Sequence, residues 1–319
     1  MMKKWRLAST ALLLALLASP VLAAPQVFTP HHLESSYEGA FEVSPADLDE
    51  DGDVDILSSA GSLPSGEVGQ FITWRENDGR QNFTEHVISG SLGGVESVLA
   101  VDLDGDRDLD VLAAAWYPDV LAWWENDGEE RFTQHAIEGD LAGALEVDAG
   151  DIDGDGDLDV VCAAMATRAI SWWENTPSGN PPPGDPIGWT KHTLDDEYYP
   201  EQLFAVDMDG DGDVDLLGSG HERGRSGLVC WWENVDGAGQ DWTKHEVVCA
   251  SWSSLTIYAA DVDDDGDVDV LGGRIPLCGV LWWENDGNSP ANFNEHPLGY
   301  RFCWTSSLGT ADVDADGDT

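Results

Sequence analysis

Basic residues are scarce: 14 Lys and Arg stand against 62 Asp and Glu, a formal net charge of −48. A surface so acidic repels phosphate backbones, which argues against nucleic-acid binding. Long apolar runs are missing too. The mostly apolar stretch 7–17 is too short to span a bilayer, which takes about 20 apolar residues, and no later stretch could do so. No G-x-S-x-G, H-E-x-x-H or phosphate loop occurs. Helical periodicity is absent after residue 24. The charge does not signal disorder either, because 42% of the residues are hydrophobic and 15 are Trp.

The amino terminus is an export signal in form. Lys3, Lys4 and Arg6 precede the apolar run, Pro20 breaks it, and Val21-Leu22-Ala23 offers small residues for cleavage after Ala23. Residues 1–23 are expected to be removed, which takes the charge from −48 to −51. A membrane anchor is the alternative, disfavoured by length. The expected location is secreted or cell-surface.

What fills the rest is one repeat. Asp47-Leu-Asp-Glu-Asp-Gly-Asp-Val-Asp55 has the form D-x-D-x-D-G-D-x-D and recurs at 102–110, 151–159, 207–215 and 261–269, with a sixth copy beginning at Asp312. From Asp47 to Asp312 the mean period is 53 residues. Trp74-Arg-Glu-Asn77 keeps step with it as Trp123-Trp-Glu-Asn126, Trp172-Trp-Glu-Asn175, Trp231-Trp-Glu-Asn234 and Trp282-Trp-Glu-Asn285. An aromatic-to-His block follows each time, ending at His86, His135, His192, His245 and His296.

Each repeat reads as four short β-strands. One enters the acidic loop, one leaves it, one ends in the Trp-Glu-Asn block and one carries the His. Asn77-Asp78-Gly79 and Asn126-Asp127-Gly128 mark the hairpins between the last two strands. Four-stranded units at this period predict an all-β fold, a β-propeller. Residues 24–319 then form five complete blades and the start of a sixth. An orphan copy of the His block, Phe28-Thr-Pro-His31, makes 24–36 a candidate closing strand. The chain stops inside the acidic loop at 312–319, so the expectation is a C-terminally truncated propeller of six to eight blades.

The acidic loops are expected to bind calcium, about one structural ion per blade. Calcium takes six to eight oxygen ligands, and alternating Asp residues in a tight loop supply them. The candidate ligands are Asp47, Asp49, Asp51, Asp53 and Asp55; Asp102, Asp104, Asp106, Asp108 and Asp110; Asp151, Asp153, Asp155, Asp157 and Asp159; Asp207, Asp209, Asp211, Asp213 and Asp215; Asp261, Asp263, Asp265, Asp267 and Asp269; and Asp312, Asp314, Asp316 and Asp318. By comparison with the EF-hand, positions 1, 3 and 5 give carboxylates, position 7 a backbone carbonyl and position 9 a bidentate carboxylate. The second loop departs from the pattern: Arg107 replaces the position-6 Gly. A non-Gly residue at positive φ there costs roughly 1–2 kcal/mol, so the weakest site is expected in that loop.

These acidic loops, Trp-Glu-Asn-Asp-Gly turns and Phe-Thr-x-His strands together resemble the FG-GAP/VCBS repeat family, the integrin-α-like propellers. The resemblance covers essentially all of the chain after residue 24. It implies a calcium-bound propeller, typically of seven blades, in secreted or surface proteins that bind other proteins or glycans. Some similar propellers belong to carbohydrate-active enzymes.

Strand direction predicts where a ligand would sit. Acidic loops and Asn-Asp-Gly turns leave one end of the blades, and the more variable loops leave the other. That second face is expected to carry Tyr37, Trp116, Tyr117, Tyr198, Tyr199, Trp252, Tyr300 and Trp304, with Arg168, His221, Arg223 and Arg274. Of these, Trp116, Tyr117, Tyr198, Tyr199, Trp252, Tyr300 and Trp304 are the candidate ligand contacts, because exposed aromatics suit sugar faces and protein hot spots. The in-register histidines read as packing, since a catalytic group has no reason to recur once per blade. Cys162 and Cys230 read as buried small residues, and one disulfide among Cys249, Cys278 and Cys303 is plausible outside a cell. The favoured function is a non-catalytic adhesion or binding module for an extracellular protein or glycan. The alternative is the propeller of an extracellular polysaccharide lyase or hydrolase.

Overall fold

Alternating β-branched, aromatic and small residues, broken at regular intervals by Asp-Gly and Asn-Asp-Gly turns, leave the chain little choice but short antiparallel strands. In the computed structural model, residues 40–60, 72–176, 187–249, 255–274, 279–288, 291–299 and 307–310 are described. The first blade is β1 (Ala40–Ala46), β2 (Asp55–Ala60), β3 (Ile72–Asn77) and β4 (Phe83–Ser89). The second is β5 (Val95–Val101), β6 (Asp110–Ala115), β7 (Val120–Asn126) and β8 (Phe132–Glu138). β9 (Ala144–Gly150), β10 (Asp159–Ala164), β11 (Ala169–Thr176) and β12 (Gly188–Asp195) make the third. β13 (Tyr199–Val206), β14 (Asp215–Glu222), β15 (Arg225–Asn234) and β16 (Trp242–Cys249) make the fourth, and β17 (Leu255–Ala260), β18 (Asp269–Arg274), β19 (Gly279–Asn285) and β20 (Phe293–Gly299) the fifth. Each set is one antiparallel sheet in sequence order, so the described residues form five blades of a β-propeller. The candidate signal segment 1–23, the closing strand 24–36 and the sixth loop at 312–319 lie outside the described residues.

One register serves all five blades. The last acid of each loop opens the second strand and faces the residue just before the loop, as in Val101↔Asp110 and Gly150↔Asp159. Between the third and fourth strands the first Trp always faces the His, from Trp74↔His86 to Trp282↔His296. The sequence blocks keep step because they are cross-strand partners.

The paired tryptophans divide their labour. Trp123 packs in a cluster shared with the third blade, whereas Trp124 packs with Trp74 of the first. Likewise Trp172 meets Trp232 of the fourth blade, and Trp231 meets Trp283 of the fifth. The first Trp thus faces the following blade and the second faces the preceding one. Alternate residues on a strand point to opposite faces of its sheet, so adjacent tryptophans must diverge in this way. Cys162 and Cys230 are buried in these layers with free thiols, as the sequence suggests. Cys249 is exposed and free, and its suggested partners Cys278 and Cys303 lie outside the described residues.

The inner strands carry a second link between blades. Five residues before the first loop Asp, Glu42, Ser97 and Gln202 each accept a backbone N–H of the next blade: Val98 at 2.7 Å, Val147 at 3.4 Å and Ile257 at 2.7 Å. At the junction between the third and fourth blades the corresponding residue is Glu146, but Asp148 makes the bond instead, to the Ala205 N–H at 2.9 Å. Glu146 is left crowded: burial, and then the charges of Glu42 and Asp148, push its pKa well above the usual carboxylate range. Because the folded state holds this proton more tightly than the unfolded chain, the charge penalty is absent below the unfolded carboxylate range. It grows as pH rises and is complete above the folded pKa. Glu146→Gln is therefore expected to stabilise the protein at pH 8 by about 1–3 kcal/mol, and by little at pH 4. Melting curves of both proteins at the two pH values check this. An equal shift at both would show that the charge is not the cause.

Candidate metal centre

Each acidic loop is wrapped by its own backbone. In all five, the N–H of position 6 donates to the position-1 carboxylate at 3.0–3.1 Å. The N–H of position 7 donates to the position-5 Oδ1 at 2.9–3.0 Å. Such Asp-to-backbone bonds are the ordinary chemistry of Asx turns. They curl the loop until carboxylates converge.

The closing acid does more than the sequence reading gives it. Asp55, Asp110, Asp159, Asp215 and Asp269 are fully buried. Their Oδ2 accepts the N–H of position 2 at 2.9–3.1 Å. Their Oδ1 accepts the N–H of the Trp-Glu-Asn asparagine at 2.7–2.8 Å. It is thus a staple across three segments, with each oxygen already holding one donor, rather than a free bidentate ligand. That asparagine extends the staple sideways: Asn175, Asn234 and Asn285 donate from Nδ2 to Leu103, Ile152 and Met208 carbonyls of the preceding blade.

Metal-ligating atoms do come together. Carboxylate oxygens of Asp47, Asp49 and Asp55 lie within 4.8 Å of one another, as do those of Asp102, Asp104 and Asp110, of Asp151, Asp153 and Asp159, of Asp207, Asp209 and Asp215, and of Asp261, Asp263 and Asp265. Positions 1, 3 and 9 therefore form the cluster in four blades, and 1, 3 and 5 in the fifth. Oδ1 of Asp47, Asp151 and Asp209 is buried and receives no hydrogen bond. Burial foremost raises the pKa of Asp110, Asp159 and Asp215 to about 7, with neighbouring acids adding to it. Orphaned carboxylate oxygens in an all-oxygen donor set fit a hard cation. Aspartate triads in each blade could thus hold a metal ion.

Position 7 falls outside every cluster. Asp53, Asp108, Asp213 and Asp267 instead lie against Gly79, Gly128, Gly237 and Gly287 of the neighbouring turn, where a Cβ would collide with their carboxylates. Only glycine admits that approach, which couples the Asn-Asp-Gly turn to the acidic loop.

The second loop keeps the fold of the others with the wrong residue. Arg107 sits at φ 86°, where Gly52, Gly156, Gly212 and Gly266 have φ 95–99°. Arg107→Gly is expected to raise stability by about 0.5–1.5 kcal/mol, roughly 1–6 °C in Tm. A lower Tm in the variant would contradict it.

At the outer strands, His86, His135, His192, His245 and His296 bond through Nε2 to the Trp-Glu-Asn glutamate at 2.5–2.9 Å. Each also lies on the first Trp of its pair with ring centroids 4.2–4.8 Å apart. They have packing partners in every blade.

On the opposite end, Trp116 and Tyr117 are 39% and 71% exposed. Tyr199 is half-buried, stacked on His221 at 4.5 Å. Tyr198 corrects the sequence reading, for it is fully buried and cannot contact a ligand. Gly220 on β14 leaves room for its ring, where a Cβ would come within 3.0 Å of it. There its hydroxyl reaches the Gly218 and Leu228 carbonyls at 3.3 and 3.1 Å. Trp252, Tyr300, Trp304 and Tyr37 lie outside the described residues, as does the Arg274 side chain.

Five antiparallel blades, each with a carboxylate cluster in its first hairpin, define an acidic-loop β-propeller. The FG-GAP-like repeat model matches residues 47–113, 102–162, 151–218 and 207–272, well over half the chain. The chain belongs to that family. Among solved structures it is similar to the V. cholerae biofilm matrix protein Bap1, at 14% identity and a TM-score of 0.43, covering 80% of this chain and 38% of that one. It is also similar to a candidate 6-phosphogluconolactonase from Bacteroides uniformis, at 9% identity and a TM-score of 0.49, covering 79% and 69%. The chain thus spans well under half the length of the Bap1 chain. No curated protein matches it.

Proposed function

We propose that the chain is a secreted or surface-displayed propeller, stabilised by calcium, that binds an extracellular protein or glycan and does not catalyse a reaction. The separation of its two ends carries this reading. The carboxylate clusters of the five described acidic loops sit at one end, where they answer structural needs, while Trp116 and Tyr117 stand exposed at the other. Large aromatics left in water on a rigid scaffold suit a ligand surface. Calcium is the cation of choice because the donors are all oxygen and several carboxylates converge in each loop. Extracellular calcium near 2 mM would fill sites with dissociation constants of about 0.1–1 mM.

A glycan and protein array probed with the full chain in calcium tests the reading. A Trp116→Ala/Tyr117→Ala variant is expected to lose at least tenfold in affinity for any confirmed ligand, with Tm unchanged. Unaltered binding to every such ligand would overturn the assignment of the face. Release of shortened products from a bound polysaccharide would instead make the chain an enzyme.

A further inference from the structure

Among the described residues, cations on the ligand face are few, and two of them are neutralised. Arg225 pairs with Glu222 and Glu246, and Lys244 with Asp195 and Glu222. Arg168 and Arg223, both exposed in the loops between the second and third strands of their blades, have no carboxylate partner among the described residues. Arg168 is also oddly placed. It sits at φ 61°, a left-handed conformation that the corresponding turns give to Asp119 and Gly224. Glycine takes that conformation freely, and Asp119 uses its carboxylate to accept the Gly143 N–H at 3.1 Å. Among the described residues, Arg168 makes no such backbone bond with its side chain. Its guanidinium carbon lies 4.6 Å from the centre of the Tyr199 ring, and Tyr199 in turn stacks on His221.

The Trp116–Tyr117 turn, Arg168 and Tyr199 form one continuous band, and Arg223 lies two residues beyond the His221 on which Tyr199 stacks. The Leu141 N–H donates to the Asp119 carbonyl at 2.9 Å, and the Met165 N–H donates to the Gly143 carbonyl at 2.9 Å. The turn bearing Trp116 and Tyr117 is thereby joined to the turn bearing Arg168, and Arg168 to Tyr199 on the next blade. Exposed aromatic surface in the second blade thus leads to unpaired guanidinium in the third and fourth.

Resting on the ligand face argued above, we propose that this band binds an anionic polysaccharide rich in uronic acids. Trp116 and Tyr117 stack on sugar rings, and Arg168 and Arg223 take the carboxylates. Flat aromatics and planar guanidinium groups spread over three blades match a chain that repeats ring and carboxylate, and stacking on Tyr199 holds the Arg168 fork in place. The strongly acidic loops do not forbid this. Strands of six to eight residues at about 3.3 Å each separate the two ends by roughly 20 Å, more than two Debye lengths at physiological ionic strength.

The test is binding of the full chain, with calcium present, to polygalacturonate oligosaccharides and to cello-oligosaccharides as neutral controls. Polygalacturonate is expected to bind preferentially and several-fold more weakly as salt rises from about 50 to 200 mM. Arg168→Gln/Arg223→Gln should lose at least tenfold, with Tm unchanged. Undiminished binding by that variant would overturn the proposal, since the polyanion would then be attached elsewhere, as by calcium bridging at the acidic loops. Equal binding of cello-oligosaccharides, lost in Trp116→Ala/Tyr117→Ala, would overturn the anionic assignment and leave the ligand face standing. Equal binding of polyglutamate would overturn the glycan assignment. Failure of polygalacturonate to bind overturns the proposal outright; insensitivity of every other ligand to the aromatic variant would remove the ligand face as well.

Discussion

Asp159→Ala is expected to destabilise the protein by about 3–6 kcal/mol, whereas Asp155→Ala in the same loop should cost about 1 kcal/mol or less. Both are acids of one calcium-type loop, and by sequence they look interchangeable. Asp159 is fully buried and holds the Ile152 and Asn175 N–H groups at 2.9 and 2.8 Å. Its loss strands two buried donors, each worth about 1–3 kcal/mol, and removes a member of the metal cluster. Asp155 is exposed and is not in that cluster. Urea unfolding of the two variants, in calcium, measures the difference. Equal losses would mean that the loop acts only as a metal cage and that the staple has no weight of its own.

The second large effect concerns the contact between blades. Asn234 is completely buried. Its N–H holds Asp215, its Nδ2 reaches the Ile152 carbonyl of the preceding blade at 2.7 Å, and its Oδ1 accepts the Gly239 N–H at 3.0 Å. Alanine in its place leaves that carbonyl and that N–H without partners in a dry layer, a cost of about 2–4 kcal/mol. Asn77 is the internal control, because among the described residues its Nδ2 bonds within the first blade, to the Val54 carbonyl at 3.1 Å, and the residue is only partly buried. Asn77→Ala should therefore cost about 1 kcal/mol or less. Calorimetric melts of the two variants would contradict the lock if their losses were the same.

The fold was legible because the repeat writes the same letters at the same structural positions. Strand order, the hairpin turns and the end of each blade that carries the acids all follow from the spacing of Asp, Trp-Glu-Asn and His. The five carboxylate clusters appear where the loops predict them. The division of labour inside each loop was not legible. Position 9 looks like a bidentate ligand only, and the fold alone shows that each of its oxygens also holds a backbone donor, from segments 7 and 16–22 residues away, while it stays in the cluster of four blades. The sequence assigns position 7 a backbone carbonyl and no task for its side chain, and only the fold shows that carboxylate lying against the turn glycine. The inner links were invisible for a different reason: Glu42, Ser97, Asp148 and Gln202 share a task but no side chain, so no repeated letter marks it. Tyr198 was misplaced because a glycine on another strand, Gly220, makes the room that lets its ring turn inward.

Cations held by the acidic loops are expected to keep the blades together. Five sites of about 0.1–1 mM affinity in roughly 2 mM calcium would contribute about 3–9 kcal/mol, comparable to the whole stability of an ordinary domain. A thermal melt of the full chain in 2 mM calcium and in excess chelator tests this most directly. A Tm lower by roughly 10 °C or more is expected in chelator, restored by adding calcium back. A folded protein with the same Tm in both solutions would contradict it and leave the aspartate clusters as solvated turns.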